Sequence, residues 1–165
     1  MHLALKMVHH YRTEARRVIW QMRESRLDSE TLVDLVSAAL RQLTDGTGIR
    51  GEVQVSGRVL KLPEDLERNV LRIAQEAGSN ARNHGHPSNI HIRMDYRPDA
   101  LVLTVDDDGA GFDPKAADGV VSGHFGLTVM RERAEQFGGA LHLASQPGGG
   151  TVVEAKVPIR AARGK

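Results

Sequence analysis

The chain has 165 residues, which is enough for one domain with a buried core and a short additional segment. Its formal net charge of +1 gives no general attraction to nucleic acids or acidic membranes. It has no cysteine, which excludes disulfides and thiolate metal sites, and no apolar run long enough to span a membrane. This composition favours a cytoplasmic segment without nucleic-acid or membrane contact.

The first 25 residues contain neither glycine nor proline and predict a helix. Its apolar residues recur at alternating steps of four and three, as in helices that pack in bundles. These residues are Ala4, Val8, Tyr11, Ala15, Val18 and Met22. We expect this seam to form a helix–helix interface; the alternative is a helix docked on its own domain.

A second helix is predicted over residues 29–44, with Asp28 or Ser29 as its N-cap. Its buried stripe consists of Leu32, Leu35, Val36, Ala39, Leu40 and Leu43. Glycines at 46 and 48 end the helix, and a weak alternation of apolar residues then predicts a strand over 49–57.

The central helix is predicted over residues 63–84, because Pro63 suits a first helical position and acids follow it. A polar row of Glu76, Asn80 and His84, with Asn83 close to Asn80, lies on one side of this helix. Such side chains can hold a hydrated Mg²⁺ and contact phosphate oxygens. A solvated polar flank is the alternative interpretation.

Two strands are predicted next, over residues 89–96 and 101–109. In the second strand, Asp107 follows Leu103 and Val105 on the apolar face. A carboxylate there is costly to bury unless a donor bonds it, and the amino group of a ligand is a candidate donor. The alternative is a solvated acid at the strand end, since Asp107 lies in a run of three aspartates.

Glycines follow that strand directly and recur before the next helix. Gly109 and Gly111 would let a ligand approach the backbone, and residues 112–125 predict a long loop of the lid type. A helix follows through residue 137, and its glycine-rich start suits phosphate. A hairpin of strands 140–145 and 151–158 ends the domain, with Thr151 on the apolar side.

Four motifs together resemble the catalytic ATP-binding domain of sensor histidine kinases, which belongs to the ATPase superfamily of gyrase, Hsp90 and MutL. They are QEAGSNARNH at 75–84, DDGAGF at 107–112, GHFGLTVMRERA at 123–134 and GGGT at 148–151. The resemblance covers residues 29–160. Within the family, GLTVMRERAEQFGG is similar to the subgroup of nitrate sensors and the thermosensor of bacilli. In that subgroup TEARRVIWQMR at 13–23 resembles the second helix of the dimerisation and phosphoacceptor hairpin.

The resemblance implies a role for each matched residue. Asp107 would accept a hydrogen bond from the adenine amino group, and Thr151 would support the same end of the base. Asn80 would ligate Mg²⁺, Glu76 would be the catalytic carboxylate, and His84 would approach the phosphates. The other implied nucleotide contacts are Asn83, Gly109, Gly111, Phe112, Gly123, His124, Phe125, Gly126 and Leu127, with 112–125 as the ATP lid.

The chain also departs from the pattern of the resembled subgroup. Asn83 stands where a lysine is usual, and Gly78 stands where a leucine is usual. The phosphoacceptor histidine and the first helix of its hairpin are absent, so we expect a piece of a larger sensor. His9 and His10 fall on the wrong helix to replace that histidine.

The resemblance implies three segments: the end of the dimerisation hairpin at 1–27, the ATP-binding domain at 28–160 and a basic tail at 161–165. The expected fold is an α/β (α+β) two-layer sandwich. Its sheet would be mixed and largely antiparallel, with three helices on one face and the bundle helix before it.

The expected activity is that of a histidine kinase catalytic domain. It would bind Mg·ATP and donate the γ-phosphoryl to a histidine of the hairpin, in a homodimer, for transfer to a response regulator. The isolated chain would bind nucleotide without autophosphorylating. Alternatives are a serine/threonine kinase or ATPase of the same superfamily, or an interaction module that binds nucleotide without turnover.

Overall fold

The structure, a computed structural model, describes residues 30–114 and 125–159. The chain divides into two units, Met1–Thr31 and Leu32–Lys165, and the elements below belong to the second. The predicted bundle helix at 1–27, the lid residues 115–124 with Gly123 and His124, and the tail at 161–165 lie outside the described residues.

The described part of the chain contains three α-helices and five strands. In chain order they are α1 Leu32–Thr44, β1 Arg50–Gly57, α2 Glu64–Asn80, β2 Asn89–Tyr96, β3 Ala100–Asp107, α3 Phe125–Glu135, β4 Ala140–Ser145 and β5 Thr151–Pro158. None of the described helices is both long enough and apolar enough to cross a bilayer.

The five strands form one sheet in the order β1-β2-β3-β5-β4. β1 pairs with β2 in parallel, and the other three pairings are antiparallel. The prediction of a mixed, largely antiparallel sheet with three helices is therefore confirmed. The final hairpin and β2 have the predicted bounds, and β3 ends two residues before its predicted end.

One face of the sheet forms the core, because alternate residues of each strand point toward the helices. On β2 the buried residues are Ile90, Ile92, Met94 and Tyr96. On β3 the register places Val105 opposite Ile92, and Asp107 opposite Ile90. Asp107 thus occupies the last position of the core-facing row, as the alternation predicts.

β1 is an outer strand that the helices cover only in part. Val53 is half-buried, whereas the side chain of Val55 is 40% exposed. α1 approaches the strand at Gly51, where a Cβ would lie 2.8 Å from Leu40 Cγ. This partial cover explains why apolar alternation is weak in the β1 sequence.

The start of α2 is held by a carboxylate rather than by an N-cap side chain. Pro63 is the N-cap residue, and its side chain makes no capping bond. Instead the buried Glu67 carboxylate accepts the Leu62 N–H at 3.1 Å and the Lys61 ammonium at 3.2 Å. These bonds satisfy a backbone donor at the helix entry and fix where α2 begins.

The end of α2 corrects the sequence prediction. The α-helix stops at Asn80, and Ala81–Gly85 form a π turn that ends with His86 at φ 48°. A π turn carries i→i+5 bonds and is wider than an α turn. The prediction that Glu76, Asn80 and His84 form one α-helical row is therefore wrong at His84.

Gly78 allows close contact between α1 and α2, because a Cβ there would lie 2.9 Å from Leu43 Cδ2. We expect Gly78→Ala to stabilise the domain by up to about 1 kcal/mol, since alanine favours helix and the half-buried end of Leu43 can rotate. Urea unfolding measures the change.

Gly78→Leu provides the contrast, because the larger side chain must displace Leu43. It should lower stability, and combination with Leu43→Ala should recover part of the loss. Destabilisation by Gly78→Ala would contradict this account, because it would mean that Leu43 cannot move.

Candidate functional site

The three consecutive aspartates at the end of β3 have three different surroundings. Asp106 lies on the face of the sheet opposite to that of Asp107, with a carboxylate oxygen 3.5 Å from Arg93 Nη2. Asp107 is buried on the helix side. The exposed Asp108 carboxylate accepts bonds from Ser88 N–H and Asn89 N–H, both at 2.8 Å, and from Asn89 Nδ2 at 2.6 Å. Only Asp107 faces the interior.

Asp107 is 7% exposed, and its carboxylate has one described hydrogen-bond donor. Its Oδ1 accepts the Gly109 N–H at 2.8 Å. Burial raises the pKa of the Asp107 carboxyl, the Gly109 hydrogen bond lowers it, and the charges of Asp106 and Asp108 raise it further. A carboxylate desolvated in this way gains from an additional hydrogen-bond donor.

Gly109 brings the β3 end against the turn that follows α2. A Cβ at Gly109 would lie 2.6 Å from the Gly85 carbonyl oxygen and 2.7 Å from Asp107 Oδ1. The Ala110 N–H donates to the same Gly85 oxygen at 2.8 Å. The π turn therefore connects Asn80 with the surroundings of Asp107, and both residues lie at one end of the sheet.

The segment Gly109–Phe112 packs on the loop of the final hairpin. Gly111 has φ +59°, and a Cβ there would overlap the Gln146 carbonyl oxygen. The Gly148 N–H donates to the Ala110 carbonyl oxygen at 2.6 Å. Two glycine motifs that are distant in sequence thus fit against each other, and only glycine is compatible with position 111.

Ser145 connects this segment with Thr151. Its Oγ accepts the Phe112 N–H at 2.9 Å and lies 2.9 Å from both the Gly150 oxygen and Thr151 Oγ1. Thr151 is paired across the strands with Asp107, so the two polar side chains stand on neighbouring strands and on the same face. We call Asp107, Thr151 and Ser145 the sheet cluster.

A second polar cluster lies between α2 and α3. A Cβ at Gly126 would overlap Glu76 Oε1 and would lie 3.3 Å from Asn80 Nδ2. Glu76 and Asn80 are both half-buried and lie one helical turn apart. The start of α3 therefore directly adjoins a carboxylate and a carboxamide. We call Glu76, Asn80 and Gly126 the helix cluster.

The remaining predicted site residues that the structure describes belong to neither cluster. Asn83 is exposed and donates to Ser79 Oγ at 3.1 Å, and His84 is exposed on the π turn. Phe125 begins α3, and Leu127 is half-buried in its first turn. Phe112 contributes its N–H to Ser145, as described above.

Three residues of this region were missed by the sequence reasoning. Gly85 contacts Gly109, Asp108 fastens the start of β2, and Ser145 organises the hairpin end. Ser145 had a usable signal, because the predicted hairpin already pairs residue 145 with Thr151 across its loop. Gly85 and Asp108 contact residues of other elements, and the sequence does not show which residues of separate elements lie side by side.

Comparison with known proteins agrees with this architecture. Residues 65–161, more than half of the chain, match the family described as histidine kinase-, DNA gyrase B-, and HSP90-like ATPase. The chain belongs to this family. The predicted resemblance to the catalytic ATPase domain of sensor histidine kinases is confirmed.

Several sensor kinases are similar in sequence. The signal transduction histidine-protein kinase/phosphatase DegS of Brevibacillus brevis is 30% identical over 154 residues, which cover 93% of this chain and 39% of DegS. The sensor protein VraS of Staphylococcus saprophyticus is 37% identical over 99 residues, or 60% of this chain and 28% of that protein. The chain therefore spans well under half the length of these relatives.

A solved structure supports the fold independently. The histidine kinase domain of a blue-light activated histidine kinase from Erythrobacter litoralis superposes with a TM-score of 0.63 at 22% identity. The match covers 78% of this chain and 59% of that chain. The predicted two-layer α/β architecture is thereby confirmed.

Proposed function

We propose that this family member binds Mg·ATP between the sheet cluster and the helix cluster. It would donate the γ-phosphoryl to a histidine on a dimerisation hairpin, for onward transfer to a response regulator. The observation that carries the proposal is the placement of two chemically different clusters at one end of the sheet. One is a buried carboxylate beside a threonine, and the other is a carboxylate and a carboxamide at a helix N-terminus.

The sheet cluster suits the adenine base. Asp107 is an acceptor that burial leaves in need of a further donor, and the exocyclic amino group of adenine supplies one. Thr151 stands beside it with a hydroxyl that already has Ser145 as a partner. Ile90, paired opposite Asp107 and fully buried, makes the core beside this acceptor apolar.

The helix cluster suits the phosphates and a magnesium ion. The carboxamide oxygen of Asn80 and the carboxylate of Glu76 are hard oxygen donors of the kind that Mg²⁺ takes, and Mg²⁺ needs few protein ligands because it keeps its waters. The bound ion would neutralise charge on the phosphate oxygens during transfer. Asn80 would ligate it directly.

The chain's own residues would act mainly by position. Because a Cβ at Gly126 would overlap Glu76, the glycine lets the N–H groups at the start of α3 approach the cluster, where their dipoles favour an anion. Glu76 would orient the attacking group or accept its proton. Such catalysis rests on alignment and charge stabilisation rather than on a covalent enzyme intermediate.

The proposal predicts that Asn80→Ala removes the magnesium dependence of nucleotide binding. A non-hydrolysable ATP analogue should bind the native chain about 10-fold more tightly with Mg²⁺ than with EDTA, and the variant should lose that difference because one ligand of the ion is gone. Isothermal titration calorimetry measures both affinities. Gln75→Ala, which removes another half-buried carboxamide of α2, is the matched control and should behave as the native chain does.

That titration, an ATP hydrolysis assay and a phosphoryl transfer assay together distinguish the candidate functions. Binding without a response to Mg²⁺ would favour an interaction module, and no binding by the native chain would contradict the proposal. Steady ATP hydrolysis that depends on Glu76 would favour an ATPase. Transfer of label from γ-labelled ATP to a histidine of an added dimerisation hairpin would support the kinase reaction.

A further inference from the structure

A side-chain hydrogen bond two helical turns from the helix cluster connects α3 with α2. Arg133, half-buried near the end of α3, donates from Nη1 to Asn69 Oδ1 at 3.0 Å. Asn69 in turn donates from Nδ2 to the Asp65 carbonyl oxygen at 2.9 Å. The second bond orients the carboxamide, so that its oxygen faces Arg133.

This bond and the Gly126 contact define one register between the helices. Gly126 meets Glu76, and Arg133 meets Asn69, so residue numbers rise on α3 as they fall on α2. Both spacings are seven residues, from 126 to 133 and from 69 to 76. Two helical turns, or about 10.5 Å, therefore separate the two contacts on each helix. The helices run antiparallel, with a fixed point at either end of this span.

Few of the described side chains of α3 are fully buried. Among the described side chains of α3, only Met130 and Ala134 are fully buried. A hydrogen bond restrains an axial position more specifically than the burial of two side chains does, because it requires a defined distance and angle. The bond from Arg133 is therefore the more specific restraint on the axial position of α3.

The charges around Arg133 also connect it with the helix cluster. Burial lowers the pKa of the Arg133 guanidinium, the positive charge of Arg72 lowers it further, and Glu76 acts in the opposite direction. Arg133 thus lies within the electrostatic range of Glu76 while it bonds Asn69.

We propose that Arg133 is a positioning residue for the phosphate end of the site, acting through Asn69. Its bond holds α3 in the register at which Gly126 and the first helical N–H groups face Glu76 and Asn80. The inference rests on the proposed function, because it takes the helix cluster to be the place where phosphates bind.

The test uses Arg133→Met, Asn69→Leu and the double variant, with Arg131→Met as the control. Arg131 is exposed on the same helix, so its replacement changes the net charge equally without touching the bond. Calorimetry measures the affinity for a non-hydrolysable ATP analogue with Mg²⁺. A nuclear magnetic resonance titration measures the affinity for adenosine, which lacks phosphates. Amide shifts of Gly126 and Leu127 are recorded without nucleotide.

We expect each single variant to lose about 10-fold in affinity for the magnesium nucleotide and to retain its affinity for adenosine. The double variant should lose no more than either single one, because both remove the same bond. In the nucleotide-free chain, the Gly126 and Leu127 amide resonances should shift in both single variants and should not shift in Arg131→Met.

Two results would overturn the inference. One is native affinity for the magnesium nucleotide in Arg133→Met, and the other is an equal loss of adenosine affinity, which would indicate a general structural role. Failure of the proposed function is recognised separately, because it would be seen in the native chain as absent or magnesium-independent nucleotide binding. The amide shifts report the helix register in either case.

Discussion

Replacement of Asp107 by asparagine should abolish measurable nucleotide binding and, at neutral pH, stabilise the unliganded domain. In Asp107→Asn the side-chain oxygen can still accept the Gly109 N–H, which leaves the amide NH₂ where the second carboxylate oxygen was. That group would face the adenine amino group donor to donor. We expect at least about a 100-fold loss of affinity for ATP and for adenosine alike.

The stability gain follows from the sign of the pKa shift. Because burial raises the pKa of Asp107 in the folded chain, the folded state binds this proton more tightly than the unfolded state does. Stability from this group is fully present below the unfolded pKa and is lost as the pH rises through the folded pKa. Asp107→Asn has no charge to bury, so its advantage should be largest at neutral pH and shrink on acidification.

Asp106→Asn is the matched control, because Asp106 is the preceding residue and lies on the opposite face of the sheet beside Arg93. It should leave nucleotide affinity unchanged. Calorimetric titration and urea unfolding at several pH values provide both readouts. An Asp107→Asn protein that binds ATP as well as the native chain does would remove the sheet cluster from the site.

The second large effect is expected for Gly126→Ala. The added Cβ would overlap Glu76 Oε1 and approach Asn80 Nδ2, so the Glu76 carboxylate or the start of α3 must move. Displacements of about 1 Å at a reacting centre lower the reaction rate on the order of 100-fold. We expect a loss of that size in the rate of phosphoryl transfer to an added hairpin and a weaker affinity for the magnesium nucleotide, with adenosine affinity retained.

Stability should not fall in this variant, since alanine favours helix and the end of the half-buried Glu76 side chain can rotate. Thr128→Ala, an exposed substitution in the same turn of α3, is the control and should preserve both affinities. A Gly126→Ala protein with unchanged magnesium-nucleotide affinity would show that the close approach of α3 to Glu76 has no role in binding.

The strands and the core could be predicted well from the sequence because alternation of apolar residues directly reports a half-buried sheet. β2 and the final hairpin show this, and the same alternation predicts that Asp107 faces the core. β1 is harder to predict, because an outer strand with an exposed Val55 shows little difference in hydrophobicity between its two faces. Periodicity therefore works best where one face is fully covered.

Contacts that depend on the register between separate elements could not be predicted in the same way. Asp108 fastens Ser88 and Asn89 only because antiparallel pairing brings the β3 end to the start of β2. The bond between Arg133 and Asn69 likewise depends on how two helices slide past each other. The π turn after Asn80 has no periodic signal, so the sequence predicts that the α-helix continues through His84.

The predicted site residues come from four motifs. In the structure they form two clusters, and the surrounding structure holds the two clusters in place to different degrees. Asp107 and Thr151 stand on paired strands, whereas Gly126 stands on a helix with two fully buried described side chains. The resemblance predicted every member of the two clusters except Ser145, but not this difference in support, because the order of motifs says nothing about the packing around each of them.

The unequal support of the two clusters has a consequence for inhibitor design. A small heteroaromatic compound that satisfies Asp107 alone would need no particular arrangement of α3, since the paired strands already hold its partners in place. Its residence time should therefore be insensitive to changes at Arg133 or Gly126. A compound extended toward Glu76 would gain contacts, but its affinity would then vary with every substitution that shifts the helix. Resistance through distant mutations is thus expected for the larger compound and not for the smaller one.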